Sequence, residues 1–135
     1  MKTTKKLLVV LLIITLAFIW GNSLFTREYS TYESSFAVRV LEKFFGEGNV
    51  SEHLVRKLAH FTEFAVLGME LFGLFGRFPL TAAHGLFAAV TDESLQLITD
   101  RSAEVADILL DFSGVLFGAL VILLICKARK KHEQQ

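Results

Sequence analysis

The stretch Thr91–Gln96 reads TDESLQ and sets Asp92 and Glu93 side by side at the end of an apolar run. Asp92 and Gln96 are one helical turn apart, so a helix presents both on one face. Arg56, His60, Glu63, Leu67 and Glu70 follow steps of four, three, four and three, which defines a second face. Glu104, Asp107, Asp111, Gly114 and Gly118 repeat at three and four and define a third. His60 is the one group here that titrates near neutral pH. It could relay a proton or contact a phosphate, with Glu63 one turn on to orient it. The candidate catalytic groups are therefore His60, Glu63, Asp92 and Glu93. Asp92, Glu93, Asp107 and Asp111 are hard oxygen donors that suit a divalent cation such as Mg²⁺ or Ca²⁺. Arg56, Lys57 and Arg101 supply positive charge for a phosphate or for the carboxylates.

Four carboxylates gathered at low dielectric cannot all ionise without compensation. Arg56, Lys57 and Arg101 could pair with them, a divalent cation could bind among them, or one carboxyl could keep its proton. The plainest alternative is an internal salt-bridge network that braces the helices.

These groups have to be positioned by elements built for lipid. The chain has 135 residues, enough for one domain spanning 1–135; 53% are hydrophobic, thirteen are Phe and one is Pro. Mean hydropathy is +0.49, more apolar surface than a soluble domain of this size can hide. Net charge is zero, which argues against nucleic acid as a partner. There is one cysteine, so no intrachain disulfide can form. No Gly-rich phosphate loop, Cys/His zinc spacing or internal repeat is present.

A membrane-crossing helix needs about 20 mostly apolar residues. Candidate spans lie at about 7–25, 57–76, 80–99 and 107–126. The first lacks a small-residue cleavage site and reads as an uncleaved anchor. Lys2, Lys5 and Lys6 precede it, and Lys127–Lys131 (KARKK) follows the last. Basic flanks stay in the cytoplasm, so both termini are expected inside, and that requires an even number of spans. The expected fold is an all-α integral membrane protein of four transmembrane helices. The link Gly76–Pro79 (GRFP) is then cytoplasmic, and the polar faces converge at the outer level. Between the first two spans, Phe36, Ala37, Val40, Leu41, Phe44 and Phe45 share one face of a segment at about 36–45. Such a segment would lie as a short amphipathic helix in the outer interface, or pack as a lid over the bundle. Gly46–Asn49 (GEGN) breaks the chain after it.

Glu70 and His84 sit at matching depth toward the cytoplasmic side and are expected to pair, with a proton path as the alternative. Gly114–Gly118 (GVLFG) is a GxxxG pattern, expected to bring its helix close to the carboxylates of the third span. Trp20, Tyr29 and Tyr32 suit outer interface anchoring. Cys126 reads as apolar filling at the inner boundary, with palmitoylation as the alternative.

RKLAHFTEFAVLG (Arg56–Gly68), TDESLQ (Thr91–Gln96), Asp100–Arg101 and DILLDFSGVLFG (Asp107–Gly118) together resemble the VanZ-like family. These are small bacterial membrane proteins named after one associated with teicoplanin resistance. The Ser-rich Gly21–Ser35 also resembles the family. The likeness carries over Lys57, His60, Glu63, Asp92, Glu93, Gln96, Arg101, Asp107 and Asp111 as site residues. Where many members read P-G-R, this chain reads TDR at Thr99–Arg101, so the aim of Arg101 can differ. The resemblance implies a multi-pass protein of the bacterial cell membrane and reduced susceptibility to teicoplanin-type lipoglycopeptides. On this basis the outer cluster is expected to bind an anionic membrane lipid or a lipid-linked cell-wall precursor. The ligand-binding set is Arg56, Lys57, His60, Glu63, Asp92, Glu93, Gln96, Arg101, Asp107 and Asp111. The competing expectations are a cation-dependent enzyme acting on a lipid phosphate, and a structural bundle acting on partner proteins. No Ser, Cys or Thr has an assigned base, so water would have to attack, which weighs against the enzyme.

Overall fold

The structure is a computed structural model that describes residues 2–24, 38–40, 42, 51–98 and 104–133. Four long helices carry it: α1 (Lys2–Ser23), α2 (Glu52–Phe75), α3 (Phe78–Ile98) and α4 (Val105–Glu133). Residues 38–40 and 42 of the expected interfacial helix are helical; Val38 is buried, and Arg39 and Val40 are exposed. The rest of that segment lies outside the described residues, as do Tyr29, Tyr32, Gly46–Asn49 and Thr99–Arg101, Arg101 included.

Each helix follows from its own residues. In α1, Leu12, Leu16, Ile19 and Ser23 recur at helical spacing and turn inward, while Leu7, Val10, Ile13, Ile14 and Phe18 stay exposed. A helix apolar on every side suits lipid on its outer face. α2 ends at Gly76, whose φ of 62° is left-handed, and its N–H donates to the Phe72 carbonyl at 2.7 Å. Glycine takes that conformation without a Cβ penalty. Pro79 then sits in the first turn of α3, where its missing N–H costs nothing.

Successive helices alternate in direction. Leu8 of α1 lies by Gly73 of α2, and Thr15 lies by Glu70. Trp20 and Ser23 meet Ala88 and Asp92, so α1 and α3 run parallel. Lys57 meets Asp107 and Ala65 meets Gly118, so α2 and α4 run parallel as well. This last pair forms the most extensive interface in the bundle. It is glycine-lined: a Cβ at Gly114 would strike the backbone of Phe61, one at Gly118 that of Ala65, and one at Gly68 that of Val115. The GxxxG pattern therefore packs on α2 and not on α3 as its spacing suggested. Spacing defines a face, and the complementary Gly68 decides which neighbour fills it. α3 approaches α4 instead through Gly85, which lies over the Val115 side chain.

Three further expectations are corrected. Glu70 accepts a hydrogen bond from Thr15 Oγ1 at 3.0 Å, while His84 Nδ1 contacts its own helix at the Leu80 carbonyl, 2.8 Å away, and stacks on Phe75. The two share a depth but not an azimuth. Trp20 packs against the core, with Nε1 reaching 3.5 Å from the Ala88 carbonyl, and so faces the bundle. Cys126 is exposed on the outside of α4 and fills no core position.

The core is Ile19, Phe64, Leu67, Leu71, Ala88, Ala89 and Val115. Among the described residues, three helical stretches are long and apolar enough to cross a membrane: Thr3–Ser23, His53–Phe75 and Val105–His132. α3 has 21 residues and carries Asp92, Glu93 and Gln96, which lower its hydropathy. Those residues are buried inside the bundle, with Thr81, Gly85, Ala88 and Ala89, while Leu86, Phe87, Val90 and Leu97 are exposed. Its polarity faces inward.

Candidate functional site

Above the apolar core, all four helices deliver polar side chains to the same end. Ser23 comes from the last turn of α1, His60 from the upper half of α2, Asp92, Glu93 and Gln96 from the end of α3, and Asp111 from the start of α4. Asp92 is fully buried and central. Its Oδ1 accepts from Ser23 Oγ at 2.5 Å and its Oδ2 from Gln96 Nε2 at 3.0 Å. The Gln96 bond is the i, i+4 pairing read from the sequence.

His60 faces this group from α2, with its side chain 16% exposed. Nδ1 lies 3.9 Å from Asp92 Oδ2 and 4.0 Å from Asp111 Oδ1. Asp111 is 1% exposed, and its Oδ1 accepts no hydrogen bond among the described residues. Asp92, Glu93, Asp107 and Glu63 are all near enough to act on its charge. Burying so many carboxylates together is costly, and a brace between helices needs only one pair.

Glu93 and Asp107 are drawn to other tasks. Glu93 Oε1 accepts from the Glu104 backbone N–H at 2.6 Å and ties the end of α3 to the start of α4. Asp107 pairs with Lys57 at 3.1 Å, and both side chains are 32% exposed, so this pair lies at the rim. Arg56, at the same rim, has a buried Nε that donates to no described residue. Glu63 is half-buried, one turn below His60.

Of the residues expected to gather, His60, Asp92 and Asp111 meet at one point. Gln96 and Glu93 support that point, and Lys57 and Asp107 pair beside it. Ser23 was not among the expected site residues. The signal was present: it continues the inward Leu12–Leu16–Ile19 face of α1 by one more turn, as a hydroxyl in an apolar stripe.

An all-α bundle with apolar exterior faces and a largely buried polar cluster at one end is the architecture of a helical membrane protein. The sequence pattern of the VanZ/LLP1 family matches residues 8–126, nearly the whole chain, and the protein belongs to that family. No curated protein and no solved structure matches the chain.

Proposed function

We propose that the chain crosses the membrane four times with both termini in the cytoplasm, and that its polar end opens outward to bind an anionic lipid headgroup. A phospholipid or a lipid-linked cell-envelope precursor offers that chemistry. The observation that carries the reading is Arg56. It stands at the rim of a carboxylate-rich cluster with a buried Nε that no described residue accepts from, and on the proposed topology that rim lies at headgroup level. A guanidinium forks onto phosphate oxygens better than any other side chain. Lys57, already at the rim, supplies a second cation, and Arg101 is the third proposed contact. α3 is the fourth crossing on this reading, because its polar residues point into the bundle. Lowered susceptibility to teicoplanin-type lipoglycopeptides would follow if the bound headgroup belongs to the precursor these drugs recognise.

A cation-dependent hydrolase of lipid phosphates is the second reading, favoured by His60 standing beside two aspartates. Ser23 is no nucleophile for it: it is fully buried and its hydroxyl proton is committed to Asp92. Water would be the attacking group, with His60 as general base.

The test is lipid selectivity. The full chain in nanodiscs of mixed phosphatidylglycerol and phosphatidylcholine should retain the anionic lipid preferentially, and Arg56→Gln should reduce that preference several-fold. Equal retention of both lipids by the native chain contradicts the reading. The topology is checked by impermeant labelling of single cysteines at Ser34 and Gln135. Intact cells should label at position 34 and not at 135.

A further inference from the structure

We propose that His60, Asp92 and Asp111 form a binding site for one first-row divalent cation, Mn²⁺ or Zn²⁺. The three ligand atoms come from three helices and all lie within 4.8 Å of one another. His60 Nδ1 is nearly equidistant from Asp92 Oδ2 and Asp111 Oδ1, at 3.9 and 4.0 Å. Both separations are too long for a hydrogen bond. A histidine serving only as a counter-ion would close on one aspartate. Instead the ring nitrogen stands off from both, across a gap of the size one ion fills. Donor atoms that share a cation sit about 2.0–2.2 Å from it and roughly 3–4 Å from each other, so closure asks for shifts of about an ångström.

Asp111 gives an independent reason. It is 1% exposed, its Oδ1 points at His60, and that oxygen accepts no hydrogen bond among the described residues. A buried carboxylate oxygen without a donor is costly, more so with four other carboxylates in range. A cation bound at Oδ1 supplies the missing partner and offsets the repulsion.

The surroundings resemble the outer layer of a metal site. Ser23 and Gln96 each donate to one oxygen of Asp92, which fixes the carboxylate. Glu93 and Asp107 are held by the Glu104 N–H and by Lys57, so the ligand set is one imidazole and two carboxylates. The imidazole suits Zn²⁺ and weighs against an all-oxygen Mg²⁺ or Ca²⁺ site, while the two carboxylates also suit Mn²⁺. Three protein ligands leave a position open for water or a phosphate oxygen, as in catalytic rather than structural sites. The exposed edge of His60 gives the ion a way in.

The role of the ion in holding a phosphate rests on the headgroup reading, so binding is measured with the metal alone. Full-length protein in detergent, freed of metal by a chelator, is titrated with Mn²⁺ and followed by loss of the free-ion paramagnetic resonance signal. Zn²⁺ is then added as competitor. One ion per chain is expected, displaced by Zn²⁺. Affinity should fall at least about tenfold in Asp111→Asn and in His60→Gln, and should hold in Glu70→Gln, a change far below the site. Mn²⁺ should raise the thermal midpoint of the native chain and not that of Asp111→Asn. Without metal, Asp111→Asn should be at least as stable as the native chain, since it removes a buried charge from among its like. Should that variant fail to fold, His60→Gln carries the same comparison. A native chain that binds neither ion overturns the site, as does Mn²⁺ affinity unchanged in these variants. Metal binding without anionic-lipid preference refutes only the headgroup reading, and the reverse result refutes only this one.

Discussion

Ser23→Ala removes one oxygen atom and tests how the centre is built. Ser23 and Asp92 are both fully buried, and the hydroxyl donates to Oδ1 at 2.5 Å. Alanine keeps the Cβ, so helix packing is preserved and the loss is confined to the bond. Interhelical hydrogen bonds in membrane proteins average only about 0.6 kcal/mol and reach about 1.7. A bond to a charged group is worth about 1.5–3 kcal/mol in proteins generally. The short length and complete burial place this one near the overlap of the two ranges, at about 1.5–2 kcal/mol. The assay is equilibrium unfolding in mixed micelles of mild detergent and SDS, run on Ser23→Ala, Asp92→Asn and the double variant. Asn keeps an acceptor but loses the charge, so the coupling in the cycle should be about 1 kcal/mol. Additivity within about 0.3–0.5 kcal/mol would show that the two side chains do not act on each other and would refute the placement of α1 against the site.

Gly118→Leu should abolish the close α2–α4 contact, because any Cβ there meets the Ala65 carbonyl; a loss of more than about 2 kcal/mol, or no folded protein, is expected in the same assay. Gly21→Ala, with open space around its Cβ position, should be near neutral. Thr15→Val and Glu70→Gln should be coupled, since one donates to the other, whereas Glu70→Gln and His84→Ala should be additive. Lys57→Gln should cost no more than about 1 kcal/mol, because the pair with Asp107 is a third exposed.

The helices and the faces that hold the site were readable from spacing. Asp92 with Gln96, and His60 with the Asp111 face, meet as their registers required. Helix ends were read short. Hydropathy stops at Leu7 and Cys126, yet α1 begins at Lys2 and α4 runs to Glu133, because Lys, Arg and Glu are good helix formers that carry a helix beyond the apolar span. Partners were harder than faces. The GxxxG stripe and the Glu70–His84 pair were misassigned because a one-dimensional register gives depth and azimuth on one helix but not which neighbour stands opposite. Ser23 escaped notice because a single serine at the end of an apolar helix looks like the beginning of the following loop. α3 shows the opposite failure of a simple scale: its mean hydropathy is lowered by the three residues it hides.

Two substitutions decide whether the polar end is a binding centre or a brace. Asp92→Asn and His60→Gln keep shape and most hydrogen-bonding capacity, so they separate the two. Each variant is expressed in cells, scored for lipoglycopeptide susceptibility, then purified and unfolded in the same micelles. If the proposed function holds, the native chain lowers susceptibility, and both variants are folded, membrane-inserted and within about 1–2 kcal/mol of it but without that effect. If every substitution that removes the phenotype also unfolds the protein, the cluster is a structural network and the binding-centre reading fails.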